Sequence, residues 1–122
     1  LLPAIYLTQK LDIAVVGIGY PNEKSAIMAT GYFKENEIES LIDRKVAGEL
    51  CMQFYDIYGD TAPYKDDNNV IGMDISMLRS VPRSIGIAGG VEKLRAVRGA
   101  INGHYINTLI TDIECAEALI SE

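Results

Sequence analysis

Short apolar runs that end in glycine or in polar residues are the clearest pattern along the chain. Asp12–Val16 and Arg83–Ala88 are each followed directly by glycine. An unbroken apolar run with such an ending is typical of a buried strand in a parallel sheet. The shorter runs Ala4–Leu7 and Asn107–Ile110 predict further strands, and so does Glu49–Tyr55, where polar and apolar residues alternate weakly.

Apolar residues at helical spacing predict helices between these strands. The first is Glu35–Arg44, and the second is Val91–Ile101, which Asn102-Gly103 ends. The faces turned to the core are expected to be Ile38, Leu41 and Ile42 in the first helix, and Val91, Leu94, Val97 and Ile101 in the second.

A third helix is predicted after the strand Asn107–Ile110. Thr111 would be its N-cap, and Glu114, three residues later, completes a capping box. Its inner face would consist of Cys115, Ala118 and Leu119. Strand, helix, strand and helix in this order imply βαβ crossovers, and therefore an α/β domain with a mainly parallel sheet.

The remaining segments are less regular. Ala26–Phe33 fits neither a helix nor a strand pattern, and Gly59-Asp60 signals a turn. The polar, turn-rich stretch Ala62–Asn69 is predicted to be a surface loop.

Composition and charge exclude several classes of protein. The 122 residues suit one domain or part of one, and 48% apolar residues are ordinary for a globular protein. No apolar run approaches the roughly 20 residues of a membrane helix. The net charge is −6, from 11 basic and 17 acidic residues, and the basic residues are scattered, so the chain is a poor candidate to bind DNA by itself. Because it starts without Met and lacks a signal-peptide pattern, we expect a fragment of a cytoplasmic protein.

Metal and catalytic motifs are not found in the sequence. Cys51 and Cys115 lie far apart and outside any Cys/His cluster, which argues against zinc and favours two reduced, buried thiols. His104, the single histidine, has no nucleophile near it in sequence, so we expect no catalytic role for it. We expect neither a metal nor a cofactor.

The strongest local signal is the diglycine Gly89-Gly90, which lies between a predicted strand and a predicted helix. In such a turn, backbone N–H groups and the helix dipole can face an anion, and glycine lets a phosphate approach closely. Lys93 lies in the first helical turn, where the dipole disfavours a cation unless an anion is bound between them. The alternative is an ordinary tight turn with a solvated Lys93 paired to a carboxylate.

A second glycine pair, Gly17 and Gly19, also follows a strand. It lacks the third glycine of a dinucleotide fingerprint, and Pro21 fits that motif badly, so we expect it to line a cleft at the strand end. Glu49, at the start of a predicted strand, could accept hydrogen bonds from sugar hydroxyls or could simply be solvated.

The polar run Asp66–Asn69 precedes Val70. It could be a metal-binding or sugar-binding loop, with Asn68 and Asn69 as candidate ligand residues, or an ordinary solvated turn.

Several blocks of the sequence, taken in order, resemble consecutive segments of one family. The blocks are Asp12–Gly19, Thr30–Phe33, Val46–Cys51 with Phe54–Asp56, Val70–Gly72, Val81–Arg83, Ile87–Gly90 with Lys93, and Leu109–Asp112. They resemble the sugar-binding (effector) domain of SorC/DeoR-type bacterial transcriptional regulators, over the range Asp12 to Ser121.

The resemblance implies a three-layer α/β/α fold like that of phosphosugar isomerases and CoA transferases. It also implies a phosphorylated sugar as effector, operator DNA contacted through a separate N-terminal helix-turn-helix domain, and a homo-oligomer such as a dimer or tetramer. By the same resemblance, Gly89, Gly90 and Lys93 would lie on the phosphate side of the ligand, and Glu49 would accept from its hydroxyls.

The sequence departs from the family in several places. Asn69 stands where the family loop often carries an arginine. An amide side chain cannot supply the fixed positive charge and paired donors of a guanidinium group. Only Thr8–Leu11 stands where the family usually has a helical stretch. The family's first half-domain, with its own phosphate loop, is absent, so residues 1–122 are expected to be part of a single effector domain. Such a part would expose apolar faces, and should pair with another copy or bind sugars poorly.

The sequence leaves three functions open. The first is a ligand-sensing module that needs no covalent chemistry. The second is a sugar-phosphate isomerase on the same fold, with Glu49 or Asp112 as general base, although Asp112 fits the cap of the last helix better. The third is an oligomerisation fragment that has kept no site.

Overall fold

The computed structural model describes residues 10–22, 31, 33–68 and 74–121, which form one sheet, one hairpin and the helices around them. The strands are β1 (Ile13–Gly17), β2 (Gly48–Leu50), β3 (Gln53–Tyr55), β4 (Arg83–Ala88) and β5 (Thr108–Thr111). The helices are α1 (Glu35–Asp43), α2 (Leu94–Asn102) and α3 (Ile113–Ile120), with 3-10 turns at Ala62–Tyr64, Ile75–Ser80 and Val91–Lys93.

The central sheet is parallel, in the order β1-β4-β5. Val15 lies opposite Ile85 in the register of β1 and β4, and Ile87 lies opposite Ile110 in that of β4 and β5. The predicted parallel sheet and the α/β class are therefore confirmed. All three strands are close to their predicted bounds. The apolar runs that predict them contain β-branched residues, which pack well on a pleated surface.

Only one face of this sheet is covered by the described residues. Ala14, Val16 and Ala88 face the main core, together with Val97 of α2. On the opposite face four large apolar side chains are exposed: Ile13 by 58%, Val15 by 60%, Ile87 by 44% and Ile110 by 55%. The third layer of the predicted α/β/α sandwich is thus not among the described residues.

The single strand predicted over Glu49–Tyr55 is wrong, since the structure has the antiparallel hairpin β2-β3 there. Its two-residue turn is Cys51-Met52, and both residues have positive φ, at 52° and 63°. Turns of this shape normally carry Asn or Gly, so the sequence does not signal this one. The prediction of a buried Cys51 is also wrong, because the thiol lies at this exposed turn, whereas Cys115 is buried as expected.

The helix that follows the diglycine differs from its prediction at the start and in its buried face. Val91–Lys93 is a 3-10 turn, and α2 begins only at Leu94. Small residues make the close contacts: Ala96, Val97, Gly99 and Ala100 are buried, whereas Val91 and Ile101 are 49% and 42% exposed.

The N-cap of α3 is Asp112 rather than Thr111. Thr111 is still paired with Ala88 in the sheet, so its backbone is extended and the helix begins one residue later than predicted. The Asp112 carboxylate accepts the cap hydrogen bond from the Cys115 N–H. The predicted capping box of Thr111 and Glu114 is therefore wrong.

The region between β1 and β4 contains a second, smaller core. In α1 the predicted residues Ile38 and Leu41 are buried, but Ile42 is 45% exposed. The segment predicted as a surface loop instead includes the 3-10 turn Ala62–Tyr64 and a fully buried Tyr64. The predicted strand Ala4–Leu7 and most of Ala26–Phe33 lie outside the described residues.

Candidate functional site

The end of β1 and the hairpin are joined by backbone hydrogen bonds between Gly19 and Glu49. The Gly19 N–H donates to the Glu49 carbonyl at 3.0 Å, and the Glu49 N–H donates back to the Gly19 carbonyl at 2.8 Å. This bridge places a charged residue of β2 at the carboxyl end of the parallel sheet, which is where open α/β sheets bind ligands.

The carboxylate of Glu49 is held in place and partly shielded from solvent. Its Oε2 accepts a hydrogen bond from the Met52 N–H at 3.0 Å, which ties it to the hairpin turn. A side chain at Gly19 would overlap its Oε1, so the missing Cβ leaves the space that this oxygen fills. Burial raises the pKa of Glu49, although the Met52 N–H and the charge of Lys93 act in the opposite direction.

Lys93 brings a positive charge to the same place. It lies in the 3-10 turn before α2, and its Nζ donates to the Ile18 carbonyl at 3.1 Å. Since Ile18 directly precedes Gly19, the ammonium group and the Glu49 carboxylate both lie at the end of β1, where the charge of Lys93 acts on that carboxylate. The structure therefore brings together three of the residues predicted for the site.

The diglycine turn has the predicted shape, but its amide already has an acceptor. Gly90 has a φ of 94°, a conformation that favours glycine. Its N–H donates to Oδ2 of Asp112 at 2.7 Å, and Oδ1 of Asp112 accepts from the Cys115 N–H at 2.9 Å. A carboxylate of the protein thus lies where a bound phosphate was expected.

Two other predicted glycines, Gly17 and Gly89, are not tightly packed. A Cβ at Gly17, at the end of β1, would meet nothing within 4 Å. A Cβ at Gly89 would be 3.7 Å from Oδ2 of Asp112, and Gly89 is exposed. Both positions are compatible with a ligand above the strand ends, and their role in binding stays a prediction.

Asn68 has a structural contact of its own. The Phe54 N–H donates to its Oδ1 at 2.8 Å, and its Nδ2 donates to the Phe54 carbonyl at 3.2 Å. It also lines a polar cavity of about 390 Å³ together with Gln53 and Lys65. Glu49 and Lys93 do not line this cavity. Asn69, the other predicted ligand residue of this loop, lies outside the described residues.

The acidic run before Asn68 is tied to helix α1 through Asp67. Asp67 pairs with Arg44 at 2.6 Å, which joins the loop to the C-terminal end of α1. Over residues 10–22, 31, 33–68 and 74–121, no group of three or more His, Cys, Asp or Glu side chains could hold a metal ion. In the same part of the chain, no helix is long and apolar enough to cross a membrane.

Two acidic residues at the diglycine turn are not among the predicted ligand-binding residues. The sequence pattern marks Asp112 as a candidate base or as part of a helix cap, and it gives no role to Glu92. A side chain at Gly90 would overlap the Glu92 carboxylate, so this group lies directly over the turn. An Asp between a strand and a helix is a recognisable N-cap signal, but its contact with Gly90 depends on the pairing of β4 and β5.

Comparison with known families gives one match over nearly the whole chain. The family model described as "Putative sugar-binding domain" matches residues 3–121. Among curated proteins, the sorbitol operon regulator of Klebsiella pneumoniae is 38% identical over 110 residues, which are 90% of this chain and 35% of that protein. The deoxyribonucleoside regulator of Bacillus subtilis (strain 168) is 31% identical over 118 residues, 97% of this chain and 37% of that protein.

Solved structures give the same result. The full-length sorbitol operon regulator SorC from Klebsiella pneumoniae superposes with a TM-score of 0.82 at 35% identity, over 94% of this chain and 37% of that one. A DeoR family transcriptional regulator from Listeria monocytogenes has a TM-score of 0.89 at 25% identity, over 97% of this chain and 48% of that one. The chain thus spans about a third of the length of the curated relatives it matches.

Proposed function

Since this chain belongs to the sugar-binding domain family of SorC/DeoR-type transcriptional regulators, we propose that it senses a phosphorylated sugar for a regulator of sugar metabolism. The observation that carries the proposal is the pair of opposite charges, Glu49 and Lys93, at the carboxyl end of the parallel sheet. A ligand that binds one conformation of the regulator more tightly than another would shift the population towards that conformation. No covalent step is needed.

Each polar group has a role in this proposal. Glu49 has a carboxylate that only accepts hydrogen bonds. Its Oε1 can accept one from a sugar hydroxyl, while Oε2 keeps its hydrogen bond from the Met52 N–H. Lys93 supplies the positive charge for the phosphate or for a hydroxyl next to it. Gly17, Gly19 and Gly89 border the ligand, because they present backbone without side chains at the strand ends.

The relatives support a proposal for the rest of the regulator. Their names describe regulators, so we propose that this chain is part of a cytoplasmic, non-enzymatic protein that contacts operator DNA through another domain. A net charge of −6 supports a separate DNA-binding domain. The apolar face of Ile13, Val15 and Ile110 supports contact with further protein, either in the same polypeptide or in a homo-oligomer.

A sugar-phosphate isomerase remains the alternative, and one observation favours it. Burial raises the pKa of Glu49, as in a general base that has to hold a proton during turnover. If the site is catalytic, a sugar phosphate incubated with the protein will be converted, and Glu49→Gln will abolish the conversion. The sensing proposal expects binding without conversion.

Thermal unfolding with a panel of sugar phosphates, their unphosphorylated parents and free phosphate tests the proposal. A ligand at a hundred times its dissociation constant adds about 2.7 kcal/mol to stability. For a domain of this size, that corresponds to a rise of several degrees in Tm. We expect such a rise with one phosphorylated sugar, its loss in Lys93→Ala, and its retention in the charge-matched control Arg95→Ala. The absence of any shift with the complete natural polypeptide would refute the proposal.

A further inference from the structure

The diglycine turn contains a carboxylate in the position of an anionic ligand. The Gly90 N–H, one of the amides available to a phosphate after β4, donates to Oδ2 of Asp112 at 2.7 Å. That length is typical of a charge-assisted hydrogen bond. An external anion can therefore reach this amide only by displacing the carboxylate.

Asp112 is held by a second hydrogen bond, which keeps it over the turn. Its Oδ1 accepts from the Cys115 N–H at 2.9 Å, so each carboxylate oxygen has its own backbone donor. Displacement by a ligand would break the bond to Gly90, and any larger movement would also remove the cap of α3. The helix dipole further favours a negative charge at this N-terminus.

A second negative charge lies on the same turn. Glu92 follows Gly90 by two residues, and its carboxylate occupies the space that a side chain of Gly90 would need. The cation in the turn, Lys93, points towards the end of β1 and away from the side of β5 and Asp112, since its Nζ donates to the Ile18 carbonyl. A dianionic phosphate at Gly90 would thus meet two carboxylates before it met a cation.

We propose that Asp112, assisted by Glu92, determines the specificity of the proposed sugar site by closing the diglycine turn to anions. This rests on the proposed function for the identity of the ligand. A sugar then presents hydroxyl groups to the turn, because carboxylates accept from hydroxyls and repel phosphate. Lys93 is left as the contact for the phosphate, and Gly90 becomes a neighbour of the uncharged part of the sugar.

The experiment is a titration of the isotope-labelled 122-residue chain with inorganic phosphate, followed by NMR at the Gly90 amide. Sodium chloride at equal ionic strength is the reference. In the wild-type chain we expect the Gly90 amide not to respond to phosphate. In Asp112→Asn and Glu92→Gln, and most in the double variant, we expect a saturable shift, with a dissociation constant lower by about tenfold or more than any wild-type response.

The variants are chosen to keep the turn folded. Asn retains an oxygen that can accept from the Cys115 N–H, and the Cys115 amide in the same spectra reports whether the cap of α3 survives. Glu92 takes no part in that cap, so Glu92→Gln tests the charge effect even if Asp112→Asn loosens the helix. Glu114→Gln removes one charge from the exposed side of the first turn of α3, and should behave like the wild type.

Two results would overturn the inference. One is a wild-type Gly90 amide that titrates with phosphate, and the other is a double variant that gains no response. Neither depends on a sugar, so a failure of this inference is separate from a failure of the proposed function, which the sugar panel on the wild-type chain detects.

Discussion

At the scale of single residues, the site depends on the missing side chain of Gly19. The Glu49 carboxylate fills the space where a Cβ would lie. We therefore expect Gly19→Ala to push Glu49 out of its place and to lower the free energy of unfolding by about 1–3 kcal/mol, as overpacking does. Denaturant unfolding measures this.

Gly17→Ala is the matched control for that substitution. A Cβ at Gly17 meets nothing within 4 Å, so its unfolding free energy should stay within about 0.5 kcal/mol of the wild type. Equal effects of the two substitutions would contradict the packing of Glu49 against Gly19.

The burial of Glu49 should also make stability depend on pH. Its pKa is raised in the folded chain, so the folded state binds this proton more tightly than the unfolded state does. Its contribution to stability is therefore most favourable below the ordinary glutamate pKa of about 4.3, and declines as pH rises towards the folded pKa. Replacing it by a neutral acceptor removes this decline.

We accordingly expect Glu49→Gln to be more stable than the wild type at neutral pH, with the difference vanishing below about pH 4.3. Urea unfolding across this range measures it. Glu39→Gln, on the exposed side of α1, controls for the loss of one negative charge. A Glu49→Gln variant that is less stable at neutral pH than in acid, relative to the wild type, would refute the raised pKa of Glu49.

At the scale of secondary structure elements, Asn68 behaves as a partner of strand β3. Its carboxamide forms hydrogen bonds with both the N–H and the carbonyl of Phe54, as the backbone of a neighbouring strand would. We expect Asn68→Ala to lower the free energy of unfolding by about 1–3 kcal/mol, because it leaves two backbone groups without these bonds. Calorimetry checks this, with the exposed Lys65→Ala as control. An unchanged stability would mean that Asn68 is free for a ligand instead.

The elements also show what the sequence could and could not predict. Strands β1, β4 and β5 follow directly from their apolar runs, and Glu49 and Lys93 are both candidates on the sequence alone. The hairpin is not predictable, because Cys51-Met52 adopts left-handed angles without Gly or Asn. The hydrogen bond from the Met52 N–H to Glu49 is likewise not visible in a local sequence pattern.

The remaining misses are contacts between distant residues. Asp112 meets Gly90 across 22 positions, and only because β4 and β5 pair in parallel with Ala88 opposite Thr111. Small residues, rather than the larger apolar ones, face the core from α2 because Gly48 of the hairpin approaches Ala96 closely. Periodicity alone cannot show how near two elements come.

At the scale of the whole molecule, the open face of the sheet should govern association. Val15 is 60% exposed beside other β-branched residues, so we expect the 122-residue chain to self-associate at high concentration. Val15→Lys should weaken this association while changing stability by no more than about 0.5 kcal/mol. Sedimentation velocity measures the association.

Ile42→Lys is the control for that substitution, because Ile42 is 45% exposed on α1 and not in the sheet. If it weakens association as much as Val15→Lys does, or if the wild-type chain stays monomeric, the open face is not a contact surface of this chain.

The central claim is that Glu49 and Lys93 act on one ligand, and a double-mutant cycle of binding tests it most directly. Calorimetry with the best sugar phosphate of the panel would be compared for the wild type, Glu49→Gln, Lys93→Met and the double variant. Groups that share a ligand should be coupled by about 0.5 kcal/mol or more, with each single variant weakening binding. Single variants that bind as the wild type does, or losses that simply add, would contradict a common site at the end of β1.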